Sequence, residues 1–220
     1  MLVVVIDTST PAVTAALVWG DRREFVAQRR TVDARAHGEL LAPAIAAVLG
    51  EGGAGPADLT AVVAGLGPGP FTGLRVGLVT AAALGQALSI PAYGVCSLDG
   101  IGAATGGATL VATDARRREV YWAVYHDGTR VAGPAVNRPA DLAEAVGGAA
   151  VDGAVGDGAL RYAETLPWPV RPEPRYPDPA VLARLAAPRI AAGAPGEALT
   201  PLYLRRPDAV EPGGPKPVTR

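Results

Sequence analysis

The residues Gly67-Pro68-Gly69-Pro70-Phe71-Thr72-Gly73-Leu74-Arg75 come nearest to ligand chemistry in this chain. A glycine-rich turn entering a helix is the usual way to present backbone N–H groups to phosphate. Here Pro68 and Pro70 carry no N–H, and no Lys-Ser/Thr pair follows, so the phosphate-loop pattern is absent. Lys216 is the sole lysine, which leaves none for a phosphate-loop or Schiff-base role. The two histidines, His37 and His126, are far apart in sequence, whereas a helical metal pair needs i and i+4; position 41 is Leu41. His37 is therefore expected to be a structural or interface residue. The single cysteine, Cys96, is expected to be a small buried apolar residue. No Gly-x-Ser-x-Gly elbow and no zinc-type cysteine pattern occurs.

The elements that must position these residues follow from periodicity. Leu2 to Ile6, Val13 to Trp19 and Phe25 to Arg29 predict three strands in an antiparallel meander, with Gly20-Asp21 as a turn. A helix is expected from near Asp33, as N-cap, to Leu49-Gly50, with Leu40, Leu41, Ala44, Ile45, Val48 and Leu49 on its apolar face. Pro43 should bend it. A strand over Ala61 to Ala64, a helix over Thr72 to Leu88 and a strand over Pro91 to Val95 complete the first half. Gly106-Gly107 marks a boundary. The second half repeats the theme, with strands over Thr109 to Thr113, Val120 to Tyr125 and Val151 to Val155. Helices are expected over Ala140 to Val146 and Val181 to Ala192. Asp127-Gly128 is a hairpin signal and Pro167 to Pro179 an extended connection. Ser97 and Asp99 flank a helix start and are expected to cap it. Arg116-Arg117-Arg118 falls in a predicted hairpin turn. Two halves that each open with strands suggest a duplicated α/β architecture, of which the actin-like and Hsp70-like ATPase fold is one.

Gly73, Gly77, Ala81 and Gly85 fall at successive i+4 positions of the second helix and share one face. Each interior glycine costs about 1 kcal/mol relative to alanine, so this stripe serves a close backbone approach. Packing within the chain and contact with another protein both account for it.

Composition bounds the rest. The chain has 220 residues, 49% of them hydrophobic, enough for one large domain or two small ones. A net charge of −1 is too little to hold a nucleic-acid backbone unaided, and one thiol fits a reducing compartment. Met1 runs directly into Leu2 to Ile6 with no basic lead and no cleavage site, so no signal peptide is expected. The apolar region from Val76 to Val95 is interrupted by Gly77, Gly85, Gln86 and Pro91 and predicts a buried helix and strand rather than a membrane span. A soluble, cytoplasmic protein is expected.

The Gly67 to Arg75 string resembles the signature loop of the bacterial TsaB (YeaZ) family. So do Ile6-Asp7-Thr8-Ser9, His37-Gly38-Glu39-Leu40-Leu41 with Pro43, and Val95 with Ser97-Leu98. Asp114-Ala115-Arg116 before Glu119-Val120-Tyr121, and Pro201-Leu202-Tyr203-Leu204-Arg205, complete a match running nearly to Arg206. Pro70 is a departure, since the family usually has serine there.

The resemblance implies an actin/Hsp70-like ATPase (ASKHA) fold of two similar lobes, each with a mixed sheet flanked by helices. The expected division is residues 1–103 for the N-terminal lobe with its dimerisation helices, 104–206 for the C-terminal lobe and 207–220 for a loose tail. It further implies a scaffold or activator subunit in the synthesis of threonylcarbamoyladenosine at tRNA position 37, without catalytic residues, metal or cofactor of its own. The partners implied are a TsaD-like catalytic paralogue, a TsaE-like ATPase, and tRNA through the complex, with a homodimer when alone and no membrane. The partner-facing set is expected to be His37, Leu40, Leu41, Ala44, Gly73, Leu74, Gly77, Leu78 and Ala81. Arg116-Arg117-Arg118 would either touch tRNA phosphates within the complex or form a solvated turn.

In such a fold an Asp-x-Gly turn after the first strand of each lobe approaches phosphate and Mg²⁺. Asp7-Thr8-Ser9 and Asp114-Ala115-Arg116 both lack the glycine, and a side chain there obstructs backbone approach. Asp7, Thr8, Ser9, Asp114, Gly156, Asp157 and Gly158 are thus expected to be remnants of a nucleotide site. The alternative function is a nucleotide-binding ATPase or kinase-like enzyme of the same fold; a protease is a third and weaker class, because the second histidine is missing.

Overall fold

The computed structural model describes residues 1–19 and 24–205. The expected turn at Gly20-Asp21 and the tail over 207–220 lie outside the described residues.

β1 (Leu2–Asp7), β2 (Ala12–Trp19) and β3 (Glu24–Val32) form an antiparallel meander. α1 (His37–Glu51) then crosses to β4 (Ala61–Gly65), which pairs parallel with β1. α2 (Phe71–Leu88) crosses to β5 (Ala92–Val95), parallel with β4. The sheet order is β3-β2-β1-β4-β5. After the short helix α3 (Asp99–Gly102) the pattern recurs. β6 (Ala108–Asp114), β7 (Val120–His126) and β8 (Thr129–Asn137) are antiparallel neighbours. α4 (Leu142–Ala145) leads to β9 (Gly153–Val155), parallel with β6. The second sheet, β8-β7-β6-β9, repeats the first without its fifth strand. α5 (Asp157–Arg161) and α6 (Pro179–Ala191) follow.

Burial explains the continuous apolar runs. All six residues of β1 and all five of β4 are buried, because the first sheet is covered on both faces. Leu41, Ile45 and Val48 of α1 and Leu74, Leu78 and Ala81 of α2 pack with Val4, Ile6 and Val62 on one face. On the other, Leu182, Ala183, Ala186 and Ile190 of α6 pack with Val3, Val5, Val63 and Tyr93. Chain order and packing diverge here: α6 follows the second sheet in sequence yet completes the first sheet's core. The segment after α6 continues along that lobe, with Glu197 N–H donating to the Ala92 carbonyl at 2.9 Å and Leu202 N–H to the Leu66 carbonyl at 2.9 Å. Among the described residues, α2 is the one helix long and apolar enough to cross a membrane, and it lies on the sheet as a core helix.

Three local expectations are corrected. Asp33 does not cap α1: its carboxylate accepts from Arg35 N–H at 2.8 Å in a local turn, and the helix begins four residues later. Neither Ser97 nor Asp99 caps α3. Asp99 accepts from the Tyr125 hydroxyl at 2.7 Å and pairs with Arg130 at 3.3 Å, and Ser97 turns toward β1. Strand β8 gives no clear signal in sequence, because Gly133 and Pro134 interrupt its alternation and its register with β7 shifts beside them.

Candidate functional site

The turn after β1 is held from all sides. Asp7 Oδ1 accepts from Ser9 N–H at 3.0 Å and from Ser9 Oγ at 2.8 Å, and Asp7 Oδ2 accepts from Ser97 Oγ at 2.6 Å. Ser97 Oγ also accepts from Gly67 N–H at 3.0 Å, tying the loop before α2 to the end of β5. Thr8 Oγ1 donates to the Gly73 carbonyl at 2.8 Å and accepts from Gly77 N–H at 3.1 Å. His37 Nε2 donates to the Thr10 carbonyl at 2.9 Å. The Gly67–Gly77 segment therefore wraps the Asp7–Thr10 turn.

The glycine stripe follows from that embrace. A Cβ at Gly77 would overlap Thr8 Oγ1, and one at Gly69 would overlap the Ser9 carbonyl. A Cβ at Gly73 would sit 3.2 Å from both His37 Nε2 and the Thr8 carbonyl. Intrachain packing accounts for the stripe.

The fold implies Mg²⁺ and a nucleotide at this turn, and the residues present do not fit them. Asp7 is 1% exposed, its two oxygens already accept three hydrogen bonds, and burial pushes its pKa up against the opposing effect of those bonds. The Ser9 carbonyl lies against Gly69, where a phosphate would need open backbone. Among the described residues no group of three His, Cys, Asp or Glu side chains is placed to hold a metal ion.

The second-lobe residues Asp114, Gly156, Asp157 and Gly158 do come together. Asp157 Oδ1 accepts from Asp114 N–H at 3.3 Å, and Asp114 Oδ2 accepts from Arg161 at 3.1 Å. Gly156 has φ +105°, and a Cβ there would overlap the Ala112 carbonyl; a Cβ at Gly158 would crowd Thr113 and Asp114. Glycines thus let α5 start hard against the end of β6. Burial pushes the Asp157 carboxyl up to about 6, with the neighbouring Asp114 charge acting in the same direction. A cavity of about 410 Å³ opens here between the lobes, lined by Asp114, Arg116, Asp157, Arg161, Arg175 and Tyr176, with Pro11 and Val32 from the first lobe. Asp7, Thr8 and Ser9 do not line it, so the two sets of remnants are separated.

The residues expected to face a partner divide by burial. Leu74 and Ala81 are fully buried, Leu41 is 1% and Leu78 5% exposed, and His37, Gly73 and Gly77 are also buried. These residues face the chain's own sheet and turn. Leu40 and Ala44 are half-buried. The uncovered sides of the same two helices carry Ala42, Pro43 and Ala46 on α1 and Val79, Ala82 and Ala83 on α2. Val79 is 67% exposed. At the start of α2, the exposed rings of Phe71 and Tyr203 stack at 5.3 Å. The Arg75 guanidinium lies 3.7 Å over Phe71, and its Nε donates to the Tyr203 hydroxyl at 2.8 Å. Sequence reasoning missed this face because small residues occupy both sides of α2. The signal was the spacing Thr72, Arg75, Val79, Ala82, Gln86, opposite the glycines.

Two lobes with matching strand order, flanked by helices and meeting at a cleft, define an α/β protein of the actin/Hsp70-like (ASKHA) class. The sequence model of the family described as "TsaD: tRNA N6-adenosine threonylcarbamoyltransferase" matches residues 28–176. A protein of Mycobacterium tuberculosis described as uncharacterized is 54% identical over 211 residues, covering 94% of this chain and 93% of its own length. The tRNA threonylcarbamoyladenosine biosynthesis protein TsaB of Escherichia coli is 36% identical over 130 residues, 57% of this chain and 55% of that protein. The solved structure of YeaZ from Pseudomonas aeruginosa superposes with a TM-score of 0.75 at 27% identity, covering 92% of this chain and 100% of that one. The chain belongs to the TsaB (YeaZ) family.

Proposed function

We propose that this protein is a non-catalytic scaffold or activator subunit in tRNA threonylcarbamoyladenosine biosynthesis, docking onto a TsaD-like catalytic paralogue. The observation that carries this reading is the outer face of α1 and α2. Both helices bury one side on the same sheet face, which leaves Ala42, Pro43, Ala46, Val79, Ala82 and Ala83 as a low, apolar layer facing away from it. Small side chains let another helix pair approach closely, at the 8–10 Å interaxial distances typical of packed helices. Arg75 and Phe71 at one end, and Glu39 beside the layer, supply polar and aromatic groups for its rim. The names of the TsaB relatives place them in this pathway, and the poor fit of Asp7 to Mg²⁺ supports a subunit that leaves the chemistry to its partner.

The test is co-purification with the TsaD-like paralogue of the same organism, using wild type and Val79→Glu. Wild type is expected to form a stable complex, and Val79→Glu to remain folded but lose it, because a carboxylate would be buried unpaired at the contact. A Val79→Glu variant that binds as well as wild type would remove this face from consideration. Tight calorimetric binding of Mg-ATP by the lone chain, abolished in Asp157→Ala, would favour the nucleotide-binding enzyme instead.

A further inference from the structure

The turn joining β6 to β7 is conformationally costly. Arg116, Arg117 and Arg118 have φ of 62°, 51° and 61°, three successive non-glycine residues in the left-handed region. Each costs roughly 1–2 kcal/mol against the ordinary backbone. The turn is nevertheless fixed: Arg116 N–H donates to Asp114 Oδ1 at 3.1 Å, Ala115 N–H to the Glu119 carbonyl at 3.0 Å, and Glu119 N–H to the Arg116 carbonyl at 2.9 Å. Costly geometry that the surroundings over-determine is a mark of functional segments.

Beside it lies a cavity of about 430 Å³ walled by Arg117, Arg118, Arg138, Tyr162 and Thr165. Among the described residues no carboxylate lines it. Asp114 and Glu119, on or beside the turn, are already engaged, Asp114 by Arg161 and Arg116 and Glu119 by Arg205. Arg118 and Arg138 are exposed, and neither guanidinium has a polar or ionic partner among the described residues. On the other side of the same turn, Arg116, Arg161 and Arg175 line the interlobe cavity together with Asp114 and Asp157, and Asp114 pairs with Arg116 and Arg161. Arginines therefore run continuously across two neighbouring cavities, in a chain whose net charge is only −1.

We propose that this arginine-walled groove holds the phosphodiester backbone of an RNA, which, on the function proposed above, is the tRNA presented to the catalytic partner. Forked guanidiniums suit phosphate oxygens, and the Tyr162 ring and Thr165 hydroxyl offer a flat surface and a further donor. An extended polyanion reaches both cavities, whereas a mononucleotide fills one. Among the described residues the lining has no large aliphatic side chain to receive a lipid chain.

The experiment measures binding of an unmodified tRNA transcript, by fluorescence anisotropy across a salt series. It compares wild type, Arg118→Ala/Arg138→Ala and a control, Arg35→Ala, each in complex with the TsaD-like partner and alone at low salt. The double variant is expected to bind about tenfold more weakly near 0.1 M salt, with the slope of log K against log salt reduced by about two. Arg35→Ala, an exposed arginine on the other lobe, is expected to match wild type. A wild type that binds tRNA in neither setting, or a double variant indistinguishable from wild type in affinity and slope in the setting where wild type binds, overturns the proposal. So does Mg-ATP competing with tRNA at this site in the wild type and failing to bind the double variant, which would assign the groove to a mononucleotide. Assembly is scored separately by gel filtration. A double variant that assembles normally but binds tRNA like wild type removes this groove and leaves the scaffold reading standing. A wild type that never assembles removes the scaffold reading, and the lone-chain arm then decides the groove.

Discussion

The Ser97 hydroxyl donates to Asp7 Oδ2 at 2.6 Å, across 90 residues of sequence, and Ser97 Oγ in turn accepts from Gly67 N–H at 3.0 Å. Three segments converge on that hydroxyl: the end of β1, the loop before α2 and the end of β5. All of it is buried, so each group depends on the others for its hydrogen bonds. The turn at Asp7 is closed as a structural junction.

Ser97→Ala should therefore destabilise the protein by about 2–3 kcal/mol, since it leaves a carboxylate oxygen and a backbone N–H buried without partners. Chemical denaturation checks this. A loss below about 0.5 kcal/mol would mean that the junction rearranges or admits water.

The glycines of the two helices should divide sharply. Gly77→Ala drives a methyl group into Thr8 Oγ1 and is expected to cost about 1–3 kcal/mol. At Gly38, near the start of α1, a Cβ would meet nothing within 4 Å, so Gly38→Ala is expected to stabilise by up to about 1 kcal/mol. Thermal melts of the two variants, measured side by side, test the difference in sign.

The two sides of α2 should separate in the same way. Leu74→Ala empties a fully buried site and is expected to cost about 2–5 kcal/mol, whereas Val79→Ala is expected to fall within about 0.5 kcal/mol of wild type. If partner binding is then measured, only the Val79 substitution should affect it without loss of fold.

Asp157 should make stability depend on pH. Its folded pKa is raised to about 6 from an ordinary 3.8, so the native state holds the proton more tightly than the unfolded chain. The stabilisation is fully present below about 3.8 and is lost as pH rises through about 6. The raised Asp7 carboxyl acts in the same direction. Stability attributable to Asp157 should thus fall between pH 4 and 7 by up to about 3 kcal/mol, the equivalent of two pKa units. Asp157→Asn should flatten that part of the profile and stabilise the protein at pH 7. Urea midpoints at pH 5 and pH 7 decide it, and parallel profiles for the two proteins would refute the assignment.

Much of the architecture is legible in one dimension. The β-branched run at Leu2 to Ile6, the glycine-bounded helix before Leu88 and the Asp127-Gly128 turn each carry a local signal, and the matching strand-rich openings of the two halves announce the duplication. Boundaries near Asp33 and Ser97 are misjudged because short polar side chains have several local hydrogen-bonding options. Which option wins depends on neighbours contributed from far along the chain. Arg116 to Arg118 shows the same limit: the run is visible in sequence, but its left-handed geometry and its alignment with Arg138 are not.

By itself the sequence determined the family, the strand and helix content, and the lack of a helical histidine pair, because each depends on residue identity and spacing within a short window. Only the tertiary structure decided direction. A helix with small residues on two sides can pack either one inward, and the choice at α2 was made by Thr8 and Ser9, whose backbone and hydroxyl fill the space that Gly69, Gly73 and Gly77 leave open. That contact turns Leu74, Leu78 and Ala81 into core and leaves Val79 and Ala82 at the surface, which is why the uncovered face of α2 lies opposite to the glycine stripe.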